Sequence, residues 1–169
     1  PIIDDQNIQT IVMNASGCGV MVKDYGYLLR DDPEYAFKAQ KISSLTQDIS
    51  EVLSHYSTVL KNKISHQTHL AATYHPPCTL QHGQQIRGIV ENLLTQLGVK
   101  INLCQDSHLC CGSAGTYSIL QAHLSEKLRE QKLSHLLEAC KQNDSEFILS
   151  GNIGCITHLQ NDQQPVVHW

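Results

Sequence analysis

The chain has 169 residues, of which 41% are hydrophobic and 17% charged, enough for one sizeable core or two small lobes. The formal net charge of −4 and the lack of a basic run disfavour nucleic acid as a partner. No apolar stretch approaches the roughly 18–20 residues of a membrane span, and no signal-peptide pattern opens the chain. Seven cysteines in such a chain favour reduced thiols and metal ligation over a secreted disulfide framework. We therefore expect a soluble intracellular protein and, because the chain begins at Pro1, a piece of a longer one.

The first part of the chain predicts a strand, a turn and a long helix. Residues 8–13 form a short apolar run that leads into a glycine-rich turn containing Cys18. Asp32 and Pro33 supply an N-cap and a proline at the first helical position. Apolar residues at helical spacing then predict one long helix up to residue 56, with no chemistry of its own.

A polar connector over residues 61–68 marks the expected boundary between two units. The first unit, residues 1–62, would be the C-terminal part of one cysteine module with its long connecting helix. The second unit, residues 63–169, would be a complete module. His66 and His69 have a spacing that could suit a metal, but they fall in the polar connector and we expect them to be solvated.

Strands alternate with helices in the second unit. The predicted order is strand 70–74, helix 84–97 stopped by Gly98, strand 99–103, one or two helices between 120 and 140, strand 147–149, helix 154–159 and strand 165–167. This alternation predicts an α/β fold with a mainly parallel sheet and flanking helices. The pattern of a strand, small residues and Gly-Cys occurs twice, ending at Cys18 and again at Cys155. This weak internal repeat suggests two copies of one module.

The adjacent Cys110 and Cys111, followed by Gly112 and Gly115, form the most informative stretch of the chain. Neighbouring cysteines rarely bridge each other, because the short ring strains the preferred disulfide geometry. The two glycines allow positive φ and let backbone N–H groups turn towards a negatively charged, sulfur-rich centre. The stretch therefore suggests that both thiols share an inorganic partner.

Cys78 and Cys155 complete a candidate metal site with Cys110 and Cys111. All four follow predicted strands, and ligands in α/β folds gather at the carboxyl ends of the strands. A helix N-terminus at Cys155 would also favour a thiolate. Thiolates select zinc or iron–sulfur clusters, and two adjacent thiolates fit several irons more readily than one zinc ion. The plain alternative is four free buried cysteines.

The other cysteines carry weaker expectations. Cys104 ends a predicted strand and Cys140 completes a leucine stripe, so we expect both to pack in the core. Cys18 is an additional candidate metal ligand. Thiol–disulfide chemistry at Cys110 and Cys111 is a further alternative to metal binding.

Three histidines lie near the candidate cysteines. His158, three residues after Cys155, is either a fifth metal ligand, a hydrogen-bond donor to the metal site or a surface histidine. His75 and His82 flank Cys78, and each either tunes the site or is a plain loop residue. No Ser-His-Asp order, Walker-type loop or dinucleotide fingerprint is present.

Four strings carry a resemblance to a known family: YHPPC at 74–78, CCGSAGTY at 110–117, GNIGC at 151–155 and PVVHW at 165–169. Their order resembles the cysteine-rich CCG domain. That domain occurs twice in iron–sulfur subunits of glycolate oxidase, in subunits of anaerobic glycerol-3-phosphate dehydrogenase and lactate utilisation, and in one of the heterodisulfide reductase subunits. The strings are most similar to the glycolate oxidase members, and NASGCG at 14–19 then resembles the end of a first CCG module.

The resemblance implies an electron-transfer role. A four-iron cluster held by Cys78, Cys110, Cys111 and Cys155 would relay electrons from a flavin subunit that oxidises glycolate towards a quinone pool. FAD and the glycolate chemistry would belong to partner subunits, so this chain is not expected to be sufficient for catalysis. The location implied is cytoplasmic, with a peripheral position at the inner face of the membrane. The rival hypothesis is a zinc-stapled assembly module that docks the flavin subunits without redox chemistry.

Overall fold

The computed structural model describes residues 7–64 and 70–169, and the connector residues His66 and His69 lie outside these ranges. The strands are β1 (Ile11–Met13), β2 (Thr46–Asp48), β3 (Ala71–Tyr74), β4 (Lys100–Leu103), β5 (Phe147–Ser150) and β6 (Val166–His168). The helices are α1 (Ser16–Lys23), α2 (Tyr25–Leu28), α3 (Ala36–Leu45), α4 (Ile49–His55), α5 (Ser57–Lys63), α6 (Ile89–Gln96), α7 (Tyr117–Leu120), α8 (Ala122–Asn143) and α9 (Ile153–His158). One π-helical turn, Thr79–Gly83, lies between β3 and α6.

The larger sheet is the scaffold of the second unit. Its four strands are parallel and lie in the order β4-β3-β5-β6. Successive residues of a strand point to opposite faces, and both faces are covered here. Helix α6 contributes Val90 to a cluster with Tyr74 and Leu149, whereas α8 contributes Leu136 to a cluster with Ile148. The predicted α/β fold with a mainly parallel sheet and flanking helices is therefore confirmed.

The prediction of one long helix up to residue 56 is wrong. Strand β2 separates α3 from α4 and pairs in parallel with β1. The break occurs because Asp48 is extended and caps a new helix: its Oδ1 accepts from Ser50 N at 2.9 Å, and its N–H donates to Glu51 Oε2 at 2.8 Å. This capping box outweighs the continuous apolar stripe.

Cys18 does not lie in a glycine-rich turn as predicted, because the segment that contains it is helix α1. The flanking glycines serve close packing instead of a turn. A Cβ atom at Gly19 would lie 2.6 Å from the side chain of Gln84, which donates to Ser16 O at 3.0 Å. Small residues therefore let α1 approach the chain around Gln84 closely.

Helices and strands of the second unit follow the predicted order, and the largest shift of a boundary is at the start of α6. Helix α6 begins at Ile89 instead of Gln84, because Gly88 has a φ of +74° and interrupts the helical path. Gly98, with a φ of +93°, follows the end of α6 and acts as the predicted stop. The division of the chain at residue 62 stays a prediction. Across residues 7–64 and 70–169, none of the helices has the length and apolar character needed to cross a membrane.

Candidate metal centre

The loop after β3 supplies two of the side chains at the candidate centre. His75 continues the strand by one residue: its N–H donates to Leu149 O at 2.8 Å, and its carbonyl accepts from Ser150 Oγ at 3.0 Å. Pro76 and Pro77 are buried and end the strand, which directs the chain to Cys78. These residues lie at the carboxyl end of the sheet, where ligands gather in α/β folds.

The double-cysteine loop depends on glycine. Gly112 has a φ of +93°, and its N–H donates to Cys110 Sγ at 3.3 Å. A Cβ atom there would lie 2.4 Å from Ser125 O, and Ser125 Oγ donates to Gly112 O at 2.8 Å. Gly115 also has a positive φ, of +59°. The predicted role of both glycines in the backbone path is therefore confirmed.

Asn152 connects Cys155 to the first unit. Its Nδ2 donates to Cys155 Sγ at 3.7 Å, while its Oδ1 accepts from Gly17 N at 3.2 Å. Helix α9, which carries Cys155, also packs tightly on the double-cysteine loop, because a Cβ atom at Gly154 would lie 2.8 Å from Ser113 Oγ. The segment that contains Asn152 and Cys155 thus contacts both α1 and the loop that contains Cys110 and Cys111.

The structure brings the four candidate cysteines together. Cys78 Sγ and Cys110 Sγ lie 3.9 Å apart. The side chain of Cys111 interacts with those of Cys110 and Cys155. The sulfurs of Cys111 and Cys155 and a ring nitrogen of His75 all lie within 4.8 Å of one another. One continuous group of four sulfurs and one imidazole results, although the chain segments that supply them are far apart in sequence.

Interactions among the four thiols shift their pKa values in opposite directions. Hydrogen bonds from Cys111 and then Cys78 lower the pKa of Cys110, and a hydrogen bond from Cys111 lowers the pKa of Cys155. The pKa of Cys78 is raised first by hydrogen bonding to Cys110 and then by desolvation. The pKa of Cys111 is raised by hydrogen bonding to Cys110, then to Cys155, and then by desolvation. The protonation equilibria of the four thiols are therefore linked, and a metal that binds all four sulfurs must displace the protons that they carry.

His75 is the residue at this centre that the sequence analysis undervalued. It is 0% exposed, and within residues 7–64 and 70–169 neither ring nitrogen has a hydrogen-bond partner. Burying two unpaired ring nitrogens is unfavourable unless something else satisfies them. Together with soft sulfur donors, this orphaned imidazole fits a thiolate-preferring metal or cluster. The sequence signal for His75 was its position close to Cys78, from which two prolines separate it.

The other predicted candidates have different surroundings. Cys18 is exposed on α1. His158 is half-buried on α9, and its Nε2 lies 3.3 Å from Ser125 Oγ. Ser125 in turn donates to Gly112 O, so a serine links His158 to the double-cysteine loop. His82 is exposed, with its Nε2 3.0 Å from His108 O, as expected for a loop residue. The ligand role of Cys18 and His158 stays a prediction.

Cys104 and Cys140 pack in the core, as predicted. They are 5% and 2% exposed and belong to the hydrophobic cluster around Leu136 and Ile148. Burial raises the pKa of both thiols, which keeps them protonated near neutral pH. They are the natural controls for substitutions at the candidate metal centre.

Residues 72–160 match the sequence profile of the cysteine-rich domain known as CCG. The chain belongs to this cysteine-rich domain family. The matched residues include Cys78, Cys110, Cys111 and Cys155, and they fall within the predicted second unit.

Three relatives illustrate the setting of this domain. The glycolate oxidase iron–sulfur subunit of Escherichia coli (strain K12) is 40% identical over 95% of this chain and 38% of that protein. The probable glycolate oxidase iron–sulfur subunit of Bacillus subtilis (strain 168) is 27% identical over 91% of this chain and 34% of its own length. Lactate utilization protein A of Geobacillus kaustophilus (strain HTA426) is 25% identical over 88% of this chain and 60% of its own length. The chain thus spans less than two thirds of each of these relatives.

Proposed function

We propose that this chain is an electron-transfer part of a glycolate oxidase complex and holds an iron–sulfur cluster on Cys78, Cys110, Cys111 and Cys155. The observation that carries the proposal is the convergence of these four sulfurs beside the buried ring of His75, which has no hydrogen-bond partner among the described residues. Membership of the CCG family and 40% identity to a glycolate oxidase iron–sulfur subunit support it. Four thiolates match the ligand set of a four-iron cluster, which is the form we propose.

A bound iron–sulfur cluster would supply reversible one-electron chemistry, and the protein would set its environment. Cys78, Cys110, Cys111 and Cys155 would ligate the irons. The N–H of Gly112 and the amide of Asn152, which already donate to sulfur, would stabilise negative charge on the ligands. His75 would be a further ligand or donate to a cluster sulfur. The loops around the centre would limit access of water.

The partners that we propose follow from the relatives' names and from the lack of a flavin or substrate motif in this sequence. Flavin-containing subunits would oxidise glycolate and deliver electrons, and a quinone pool would accept them indirectly. A cytoplasmic location at the inner face of the membrane fits this flow of electrons. The chain displays no flavin or substrate motif, so the glycolate chemistry would occur in the partners.

One observation favours a second function. Two sulfurs on one tetrahedral zinc ion lie about 3.8 Å apart, and Cys78 Sγ and Cys110 Sγ lie 3.9 Å apart. Three cysteines with a histidine, or four cysteines, are common structural zinc sets. The alternative is therefore a zinc-stapled module that docks the flavin subunits without carrying electrons.

Metal analysis combined with spectroscopy separates the two functions. We expect anaerobically prepared protein to contain iron and acid-labile sulfide, to be brown, and to bleach reversibly on reduction with dithionite. A colourless protein with one equivalent of zinc and no iron, even after anaerobic reconstitution with iron and sulfide, would refute the electron-transfer function. Reversible bleaching in the absence of any partner would establish that this chain itself accepts electrons.

A further inference from the structure

Lys132 is buried in the helix that covers the candidate metal centre. It is 2% exposed on α8, whereas Lys127 and Lys141 of the same helix are exposed. Its ammonium group donates to the backbone carbonyl of Asp106. In the described part of the chain, no carboxylate lies within ion-pair distance of this ammonium group. A charged amine is costly to bury without a nearby anion, so the position of Lys132 requires an explanation.

The surroundings of Lys132 contain thiols of the metal centre. Lys132 and Cys110 line one small cavity together with Leu109 and Leu128. Desolvation lowers the pKa of the lysine, and the groups whose ionised forms oppose this are, in order, Cys104, Asp106, Cys111 and Cys110. Cys104 is a buried thiol with a raised pKa, so it does not supply a permanent charge. The side chain of Asp106 is 36% exposed and faces His135, which leaves the sulfurs of Cys110 and Cys111 as the buried partners.

We propose that Lys132 is a charge-compensating residue for the loaded centre, a buried cation that offsets the negative charge of the metal–thiolate group. Four thiolates around a divalent ion, or around a cluster core with two positive charges, leave about two net negative charges. In a site shielded from water such charges interact strongly with a nearby cation. This proposal rests on the proposed function only in assuming that the four cysteines hold a metal or cluster.

Two consequences follow for Lys132. Reduction adds negative charge to the centre, so a buried cation should make an iron–sulfur cluster easier to reduce. Metal loading also converts thiols to thiolates, so Lys132 should stabilise the loaded protein more than the metal-free protein. If Lys132 only holds the loop through its bond to Asp106, removing its charge should change neither quantity.

Three variants separate charge from structure. Lys132→Met removes both the charge and the hydrogen bond, Lys132→Gln retains a donor for the Asp106 carbonyl, and Lys127→Met removes an exposed lysine from the same helix. The first measurement is an anaerobic potentiometric titration of the reconstituted protein. At the wild-type midpoint, we expect the ratio of reduced to oxidised cluster to fall about tenfold or more in both Lys132 variants, which is about 59 mV for one electron. Lys127→Met should stay within about twofold of wild type.

The second measurement is the rise in thermal midpoint on metal loading, and it applies to zinc as well as iron. We expect a clearly smaller rise for Lys132→Met and Lys132→Gln than for wild type and Lys127→Met, with metal-free variants at least as stable as wild type. An unchanged potential and an unchanged rise on loading would overturn the role of Lys132. A wild-type result for Lys132→Gln, with a loss in Lys132→Met, would also overturn it, because the hydrogen bond alone would then matter. A centre that takes only zinc but shows the reduced rise would refute the electron-transfer function and retain the role of Lys132.

Discussion

At the scale of single residues, the burial of a histidine could not be predicted from the sequence, as the contrast between His75 and His82 shows. Both flank Cys78, and both sit next to a residue that is typical of loops. His75 lies in line with central strand β3 and is fully buried, whereas His82 follows the loop outwards and is exposed. The four cysteines could be selected because adjacent thiols are rare and chemically specific. The burial of one histidine depends on which strand is central, and strand order was not available from the sequence.

Substitution of the two histidines tests the contribution of His75. His75→Ala should lower metal retention about tenfold or more, because it removes an imidazole from the group formed with Cys111 and Cys155. The measurement is metal content after dialysis against a graded series of chelator concentrations. His82→Ala is the matched control and should behave like wild type. Equal retention by the two variants would exclude His75 from the centre.

At the scale of elements, the strands of the second unit were predictable and the helices of the first were not. Apolar runs that end in Gly, Pro or Cys located β3, β4 and β5 within one or two residues. The long helix failed because its apolar stripe continues through Asp48, where a local capping box starts a new helix. The two patterns compete and the capping box prevails, and the residues before it pair with β1 as strand β2. This pairing joins residues distant in sequence and leaves no local signal.

The two glycines of the double-cysteine loop make a matched pair for a stability test. Gly112→Ala should cost about 3 kcal/mol or more of unfolding free energy, because it combines a positive φ with a Cβ contact at 2.4 Å to the backbone of Ser125. Gly115→Ala should cost only about 1 kcal/mol, since its φ is +59° and no atom of residues 7–64 and 70–169 lies within 4 Å of the added Cβ. Urea denaturation of the metal-free proteins measures both. Equal costs would contradict the packing of this loop on α8.

For the whole molecule, the arrangement of core and centre predicts how the fold depends on metal. One hydrophobic cluster, formed around Tyr74 and Val90 with α6, contains no cysteine. The other cluster includes Cys111 and Cys155 but is anchored by Leu136 and Ile148. The scaffold therefore has its own apolar core, unlike small zinc fingers that fold only with metal.

Metal removal should loosen the loops and leave the scaffold folded. We expect chelator-treated protein to retain one cooperative thermal transition at a lower midpoint. Hydrogen exchange should rise in the loops after β3, β4 and β5, while the strands themselves stay protected. The absence of any cooperative transition after chelation would show that the core does not suffice without metal.

The central claim is that four cysteines from three separate chain segments hold one iron–sulfur cluster. The most direct measurement is iron and sulfide per chain across a cysteine-to-serine series, with every variant reconstituted anaerobically in parallel. We expect Cys78→Ser, Cys110→Ser, Cys111→Ser and Cys155→Ser each to lose most of the bound iron. Cys104→Ser and Cys140→Ser should retain it, because these buried thiols pack in the core. Full iron content in Cys155→Ser, together with loss in Cys104→Ser, would contradict the proposed ligand set.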